Sequence, residues 1–362
     1  MSNSLGVFRL WSVFVLLWVV VSAQFAQAQS EVWNTSYGAP NREAIPVGTA
    51  ADAAGNVYST GTVTIISGNS AHEENLTIKY DPSGHIVWKN WLGSSAHQAQ
   101  AAAIGLDSAG NVYVLANVGL TASSQATITN SNSEFAIAKY SPAGVREWVE
   151  YVAPPPGGEN LAAKMAVAPE GNIYVAGSSA PAGNATSQVL TMKFDSSGVM
   201  LWSRLEPSPV AGTNTPSGLG IDATENVYVA VHSSHFFPTV YKFDIAGHLV
   251  KSFTTKVLSN FDVFHVDALG NSYAAGCWSP GPVAVKFDPN GNQLWAHAFT
   301  PTRCFEAIQT DSHGDVILAQ TLMFSGGTSS GWTSVRMRSG RSAFFFRFLT
   351  ARPGAFHRPR SP

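Results

Sequence analysis

The side chains with most chemistry to offer are few and scattered. His232 and His235 stand in an H-x-x-H spacing beside Phe236 and Phe237, which offers two imidazoles to a metal ion. No third ligand lies nearby in sequence, and the pair reads first as surface histidines. His72-Glu73-Glu74 is a second short acid–base cluster of the same weak kind. Asp52, Asp107, Asp222, Asp267 and Asp311 each open a phrase of the type D-x-x-G-N, with small departures. Those phrases resemble calcium loops but lack the twelve-residue frame and its closing Glu, so turn capping is the better account. Lys79, Lys139, Lys193, Lys242 and Lys286 occupy one repeated place, and a single active site has no use for five. Cys277 and Cys304 suit one disulfide in an exported protein, and no Cys/His spacing is that of a zinc site. No nucleophile–base pair and no cofactor motif appears, so no cofactor is expected.

The elements that must position these residues come from two alternating phrases. One reads DAAGNVYSTG, DSAGNVYVLA, APEGNIYVAG, DATENVYVAV, DALGNSYAAG and DSHGDVILAQ, starting at residues 52, 107, 168, 222, 267 and 311. The other reads YDPSGHIVW, YSPAGVREW, FDSSGVMLW, FDIAGHLVK and FDPNGNQLW, starting at 80, 140, 194, 243 and 287. Each phrase is a turn followed by a strand. The aspartate caps the turn, the glycine takes the positive φ that closes it, and valine and tyrosine follow. The turn glycines of the second phrase are Gly84, Gly144, Gly198, Gly247 and Gly291. One unit therefore reads as four antiparallel strands, A to D, with tight A–B and C–D turns and a B–C connection of variable length. Repeats of this size point to propellers or solenoids. A lone unit has no core, so each must bury both faces against its neighbours.

The expected fold is all-β: a β-propeller of four-stranded blades, six repeats visible, in a six-bladed or incomplete seven-bladed ring. Trp88, Trp148, Trp202 and Trp295 fall at one place on strand D and read as wedges between blades. Lys251 takes that place in the fourth unit, which predicts a weaker contact there. Trp33, in EVWNTSYG, matches Trp88 in IVWKNWLG, which predicts an N-terminal strand D that completes the last blade and closes the ring.

Arg9, the apolar run LWSVFVLLWVVVSA (10–23) and the Ala26-Gln27-Ala28 pattern read as a signal peptide over 1–28, with an uncleaved anchor as the alternative. The run is shorter than the ~20 residues that span a bilayer, and no later segment could span one. The propeller domain is expected over 29–326. The remainder, 327–362, is Arg-rich and off-pattern, expected to be disordered or to derive from a frameshift. From Val335 onward lie seven of the 21 basic side chains, and Arg9 is another. The body thus sets 13 basic against 23 acidic groups, which disfavours nucleic acid as a partner.

The alternation of D-x-x-G-N-V-Y-V-x-G with K-Y/F-D-x-x-G-x-x-x-W resembles the bacterial repeat called the seven-bladed β-propeller (SBBP) repeat, over roughly residues 31–320. The resemblance implies a propeller and a secreted, periplasmic or cell-surface location, and almost no chemistry. The expected function is a monomeric, non-catalytic binding or surface-interaction module. Its partner would be a protein or a glycan, held on the face that carries the long B–C and D–A loops, such as NVGLTASSQATITNSNSE and RLEPSPVAGTNTPSG. The competing expectation is a propeller enzyme, either a quinoprotein dehydrogenase or a lyase or hydrolase, with its site in the loop-face funnel. The SG-x-x-x-W phrase resembles quinoprotein repeats, but the adjacent cysteines common in those enzymes are absent.

Overall fold

The computed structural model describes residues 33–349 apart from 36, 39–40, 120–132, 157, 182–185, 207–213, 234–235, 279–280, 300–303, 312, 324–329 and 339–340. The described residues form 24 strands and no helix. Blade one holds β1 (Arg42–Ala51), β2 (Val57–Ser67), β3 (Ser70–Tyr80) and β4 (Ile86–Leu92). Blade two holds β5 (Gln98–Leu106), β6 (Val112–Gly119), β7 (Glu134–Tyr140) and β8 (Arg146–Val152). Blade three holds β9 (Glu159–Val167), β10 (Ile173–Ala180), β11 (Gln188–Phe194) and β12 (Met200–Glu206). Blade four holds β13 (Asn214–Ile221), β14 (Val227–Ser233), β15 (Phe236–Phe243) and β16 (Leu249–Thr254). Blade five holds β17 (Val263–Val266), β18 (Ser272–Trp278), β19 (Gly281–Phe287) and β20 (Gln293–Ala298). Blade six holds β21 (Ala307–Thr310), β22 (Val316–Met323), β23 (Ser330–Arg338) and β24 (Arg341–Leu349).

Each blade is a four-stranded antiparallel meander in chain order. The first strand of each blade touches the first strand of the next, from β1 through β5, β9, β13 and β17 to β21. That series makes the first strands the inner ones and the fourth strands the outer rim. Burial follows. The second strands β6 and β10 are buried almost throughout, while the outer strands β16 and β20 are mostly exposed. The chain is a β-propeller.

The turn phrases behave as their residues dictate. Asp52 Oδ1 accepts the backbone N–H groups of Ala54 and Asn56, and Gly55 N donates to Asp52 O. Asp107, Asp222, Asp267 and Asp311 cap their turns through the same atom. The C–D hairpins of blades one to five also carry an irregularity that the phrases do not announce. The register shifts by one residue directly after the repeated lysine, as between Lys79 and Tyr80, and this extra residue increases local twist.

The blade seams rest on an aromatic ring set over a glycine. Trp88 lies 6.2 Å from Tyr140 of blade two, and a Cβ on Gly144 would stand 2.7 Å from its ring. Its Nε1–H donates to Pro142 O. Trp148 lies over Gly198 and donates to Ser196 O, and Trp202 lies over Gly247 and donates to Ile245 O. Trp295 packs against the cluster shared by blades five and six. In blade four, where Lys251 takes the tryptophan's place, the wedge is supplied by another residue. Phe253, two residues on and therefore on the same face of β16, lies 5.1 Å from Phe287, and Gly291 sits beneath it.

Two other expectations meet a different arrangement. Trp33 does not lie in a strand of blade six. Residues 33–35 are unpaired, and the fourth place in that sheet belongs to β24. Trp33 instead packs 5.7 Å from Tyr80 and over Gly84, as the wedges of other blades do on their neighbours. Ring stacking, not a hydrogen-bond ladder, holds it there. The off-pattern segment expected beyond 326 contributes β23 and β24. Its β-branched and aromatic residues favour strands. The register places Arg336 where other blades carry lysine and Phe345 where they carry tryptophan.

The substituted wedge gives a direct test. Phe253→Ala should cost roughly 3–5 kcal/mol, as for other buried aromatics cut to alanine. Lys251→Ala, at an exposed position, should stay within about 0.5 kcal/mol. Urea midpoints of the two variants check this, and a larger loss from Lys251→Ala would show that the seam runs through the lysine.

Candidate functional site

One set of polar contacts between blades lies at the end where the B–C and D–A connections run, opposite the lysine and indole contacts of the tight turns. At the start of β5, Gln98 accepts the N–H of Glu73, and Gln100 Nε2 donates to Glu73 Oε2 at 2.5 Å. Beside them His72 Nε2 meets Glu74 Oε1 at 3.0 Å, so that cluster is paired within itself. At the start of β9, Asn160 N donates to Ser133 O and its Nδ2 to Ala153 O. At the start of β13, Asn214 donates twice to Ser187, at 2.9 and 2.8 Å. Gln98, Asn160 and Asn214 are all buried. The first strands β5, β9 and β13 thus begin with an amide tied to the start of the third strand of the blade before, at Glu73, Ser133 and Ser187. The sequence shows these as ordinary loop-edge residues, and only their common place before each inner strand could have marked them.

Between blades five and six the tie is covalent. Cys277, in β18, and Cys304, before β21, form a disulfide with their Cα atoms 5.2 Å apart. Asp262 Oδ2 accepts the Cys277 N–H at 2.8 Å, and Ser259 Oγ donates to Cys277 O. The Asp262 carboxylate and the two sulfurs form the one group of three metal-type ligands among the described residues. The disulfide withdraws both thiolates from such a role.

The other sequence candidates are placed as follows. His232 is exposed in β14, and His235 lies outside the described residues. The capping aspartates are engaged by backbone N–H groups and by Asn and Tyr side chains of their own turns, as Asp52 is by Asn56 and Tyr58. Tyr58, Tyr113, Tyr228 and Tyr273 are pushed well above the ordinary phenol range, first by burial and then by these carboxylates. Four of the five repeated lysines lie within 5.1 Å of the centre of a blade tyrosine ring, and Lys139 lies at 5.6 Å. Lys79, Lys139 and Lys242 also donate to a backbone carbonyl of the next blade. They are structural cations.

A concavity lies on the face of blade one that turns away from blade two. It is a groove of about 260 Å3 lined by Tyr37, Ile45, Val63, Leu76, Ile78 and Tyr80, with no charged side chain in its wall. Ile45 is 65 % exposed.

No protein-family model matches the chain, and no curated protein matches it in sequence. Solved structures do match. Virginiamycin B lyase from Staphylococcus aureus superposes with a TM-score of 0.52 at 13% identity, over 86% of this chain and 88% of that one. A protein of unknown function from Dyadobacter fermentans superposes with a TM-score of 0.52 at 11% identity, over 83% of this chain and 96% of the other. At these identities the likeness is one of fold.

Removing the covalent tie should be measurable. Cys277→Ser with Cys304→Ser should lower stability by about 3 kcal/mol, as expected for a loop of this length. A dithiol reductant should lower the wild-type urea midpoint equally and leave the double variant unmoved. An unmoved wild-type would mean that the tie contributes nothing to the seam.

Proposed function

We propose that the protein is an exported, monomeric propeller of the SBBP-repeat kind that binds a protein or glycan partner on its loop face and performs no chemistry there. One observation carries the reading. Three of the acid–base or nucleophile features of the described loop face are engaged in the structure itself, while His232 stands exposed. His72 is held by Glu74, Asp262 by the Cys277 N–H, and both cysteines by each other. What the amide ties supply instead is a set of loop ends fixed on rigid blades, a preorganised support for recognition. The loops themselves are rich in Ser, Thr, Asn and Gly, which offer hydrogen-bond donors and acceptors to a neutral polar partner.

Two experiments test this. Expression in a bacterial host should yield an exported chain whose first residue is Gln29 by N-terminal sequencing; a cytoplasmic chain that retains Met1 would overturn the export reading. The purified protein, presented to arrays of glycans and of surface proteins, should retain at least one class. It should also show no spectral change and no dye reduction with pyrroloquinoline quinone and calcium. Empty arrays together with dye reduction would replace the binding reading with the quinoprotein one.

A further inference from the structure

The seam between blades three and four departs from the others in two positions at once. In blades one, two, four and five the aspartate that opens the A–B turn accepts the hydroxyl of the tyrosine six residues on, at 3.0, 3.0, 3.3 and 3.0 Å. It also accepts the Asn side chain four residues on. Blade three has Ala168 in that place, yet keeps Asn172, Tyr174 and the buried Lys193. The carboxylate that serves them comes from the next blade. Glu225 stands where the other A–B turns carry glycine, at φ 57°. It accepts the Tyr174 hydroxyl, Asn172 Nδ2 at 3.0 Å and Lys193 Nζ at 3.2 Å.

The steric pattern explains why the two changes go together. A Cβ on Gly171 would stand 2.8 Å from Tyr113 Oη and 3.4 Å from Asp107 Oδ2. A Cβ on Gly270 would stand 2.6 Å from Tyr228 Oη and 3.1 Å from Asp222 Oδ2. At these two turns the preceding blade's tyrosine and aspartate leave room only for glycine, while a Cβ on Gly110 or Gly314 would meet no such neighbour. Where that aspartate is Ala168, a side chain enters and brings the missing carboxylate across the seam.

We propose that Glu225 replaces the aspartate that blade three lacks, and that this exchange makes the seam between blades three and four an acid-sensitive joint. Elsewhere the seam lysine donates to a neutral carbonyl of the next blade, Pro142 O, Ser196 O or Pro289 O, and the carboxylate that Lys139 also meets, Glu147, belongs to its own blade. Here the buried ammonium of Lys193 depends on a titratable partner from the neighbouring blade. Protonating Glu225 leaves that ammonium buried and uncompensated, an expensive state. The groups that meet Glu225 are Tyr174, Asn172 and Lys193 of blade three, and the Tyr174 hydroxyl it holds also feels the charges of Glu170 and of Asp222 in Glu225's own turn. Burial raises the Glu225 carboxyl, but hydrogen bonds from Tyr174 and Asn172 and the charge of Lys193 outweigh it, and the group titrates below its ordinary value. A carboxyl lowered on folding stabilises above its unfolded pKa, and that stabilisation is lost as pH falls through the folded one.

Four variants test both parts. Amide hydrogen exchange at Tyr174 and Asn226, corrected for intrinsic rate, reads the joint at each pH. Glu225→Gly should speed exchange about tenfold at neutral pH, on the scale of one charge-assisted hydrogen bond. Ala168→Asp alone should also speed it, because two carboxylates then crowd one ammonium. Ala168→Asp combined with Glu225→Gly restores the common pattern; it should recover the wild-type rate and abolish the extra acid sensitivity of this seam relative to that between blades one and two. Glu225→Gln, which keeps the shape, should show at neutral pH the fast exchange that the wild type shows only in acid. Failure of the double variant to recover what Glu225→Gly loses would overturn the exchange. An unaltered pH profile in Glu225→Gln would overturn the acid-sensitive joint.

Discussion

Everything in this molecule depends on one contact made repeatedly: a flat aromatic ring from one blade laid on a glycine of the next. A four-stranded sheet of this size has two apolar faces and no core of its own. It becomes stable when a neighbour covers each face. The ring-on-glycine contact sets the distance and direction of that cover. Gly144 takes φ 83° to close its turn, and the missing Cβ also leaves the space that Trp88 fills. One residue therefore answers a backbone demand and a packing demand together. The indole N–H then fixes the ring's rotation by donating to a turn carbonyl, and the neighbouring lysine is drawn to that carbonyl.

Much of this was legible in the sequence because the demands are local. A D-x-x-G phrase specifies its own turn, and a tryptophan at constant distance from that turn specifies a face. Strand number, strand order and the wedge positions follow from those two facts. What was not legible depends on depth or on partners distant in sequence. Phe253 replaces the absent tryptophan from a different position, which spacing alone counts as a gap. The bulge after each repeated lysine has no residue signature. Blade six departs from the phrases altogether in its last two strands, and its register is visible only through pairing. Trp33 was rightly matched to Trp88 by its surroundings, but its seat on blade one, rather than in a sheet, is a matter of three-dimensional order.

The candidate site was legible in outline only. Loop length pointed to one end of the blades, since variable connections sit where the scaffold does not constrain them. The amides of Gln98, Asn160 and Asn214 look unremarkable as letters. Their importance lies in burial, where a polar side chain without a partner is costly and a partnered one fixes geometry. The cysteines were readable as a pair, because two cysteines permit one pairing. Of the histidines, His72 has a carboxylate partner, and His232 stands exposed, the surface place its spacing first suggests.

The traffic of side chains between blades has a consequence for how such a chain can change over generations. A gene built of repeats grows and shrinks by duplicating, deleting or shuffling whole units. Most units here are self-sufficient in charge: each carries its own aspartate, tyrosine and lysine, and asks of its neighbour only a ring, a glycine and a carbonyl. Such units are interchangeable. The third and fourth are not. A copy of blade three placed before a blade with glycine in its A–B turn would leave Tyr174 and Lys193 without this carboxylate, and Glu225 set after blade two or blade four would meet the tyrosine and aspartate that crowd Gly171 and Gly270. These two units work best inherited as a couple.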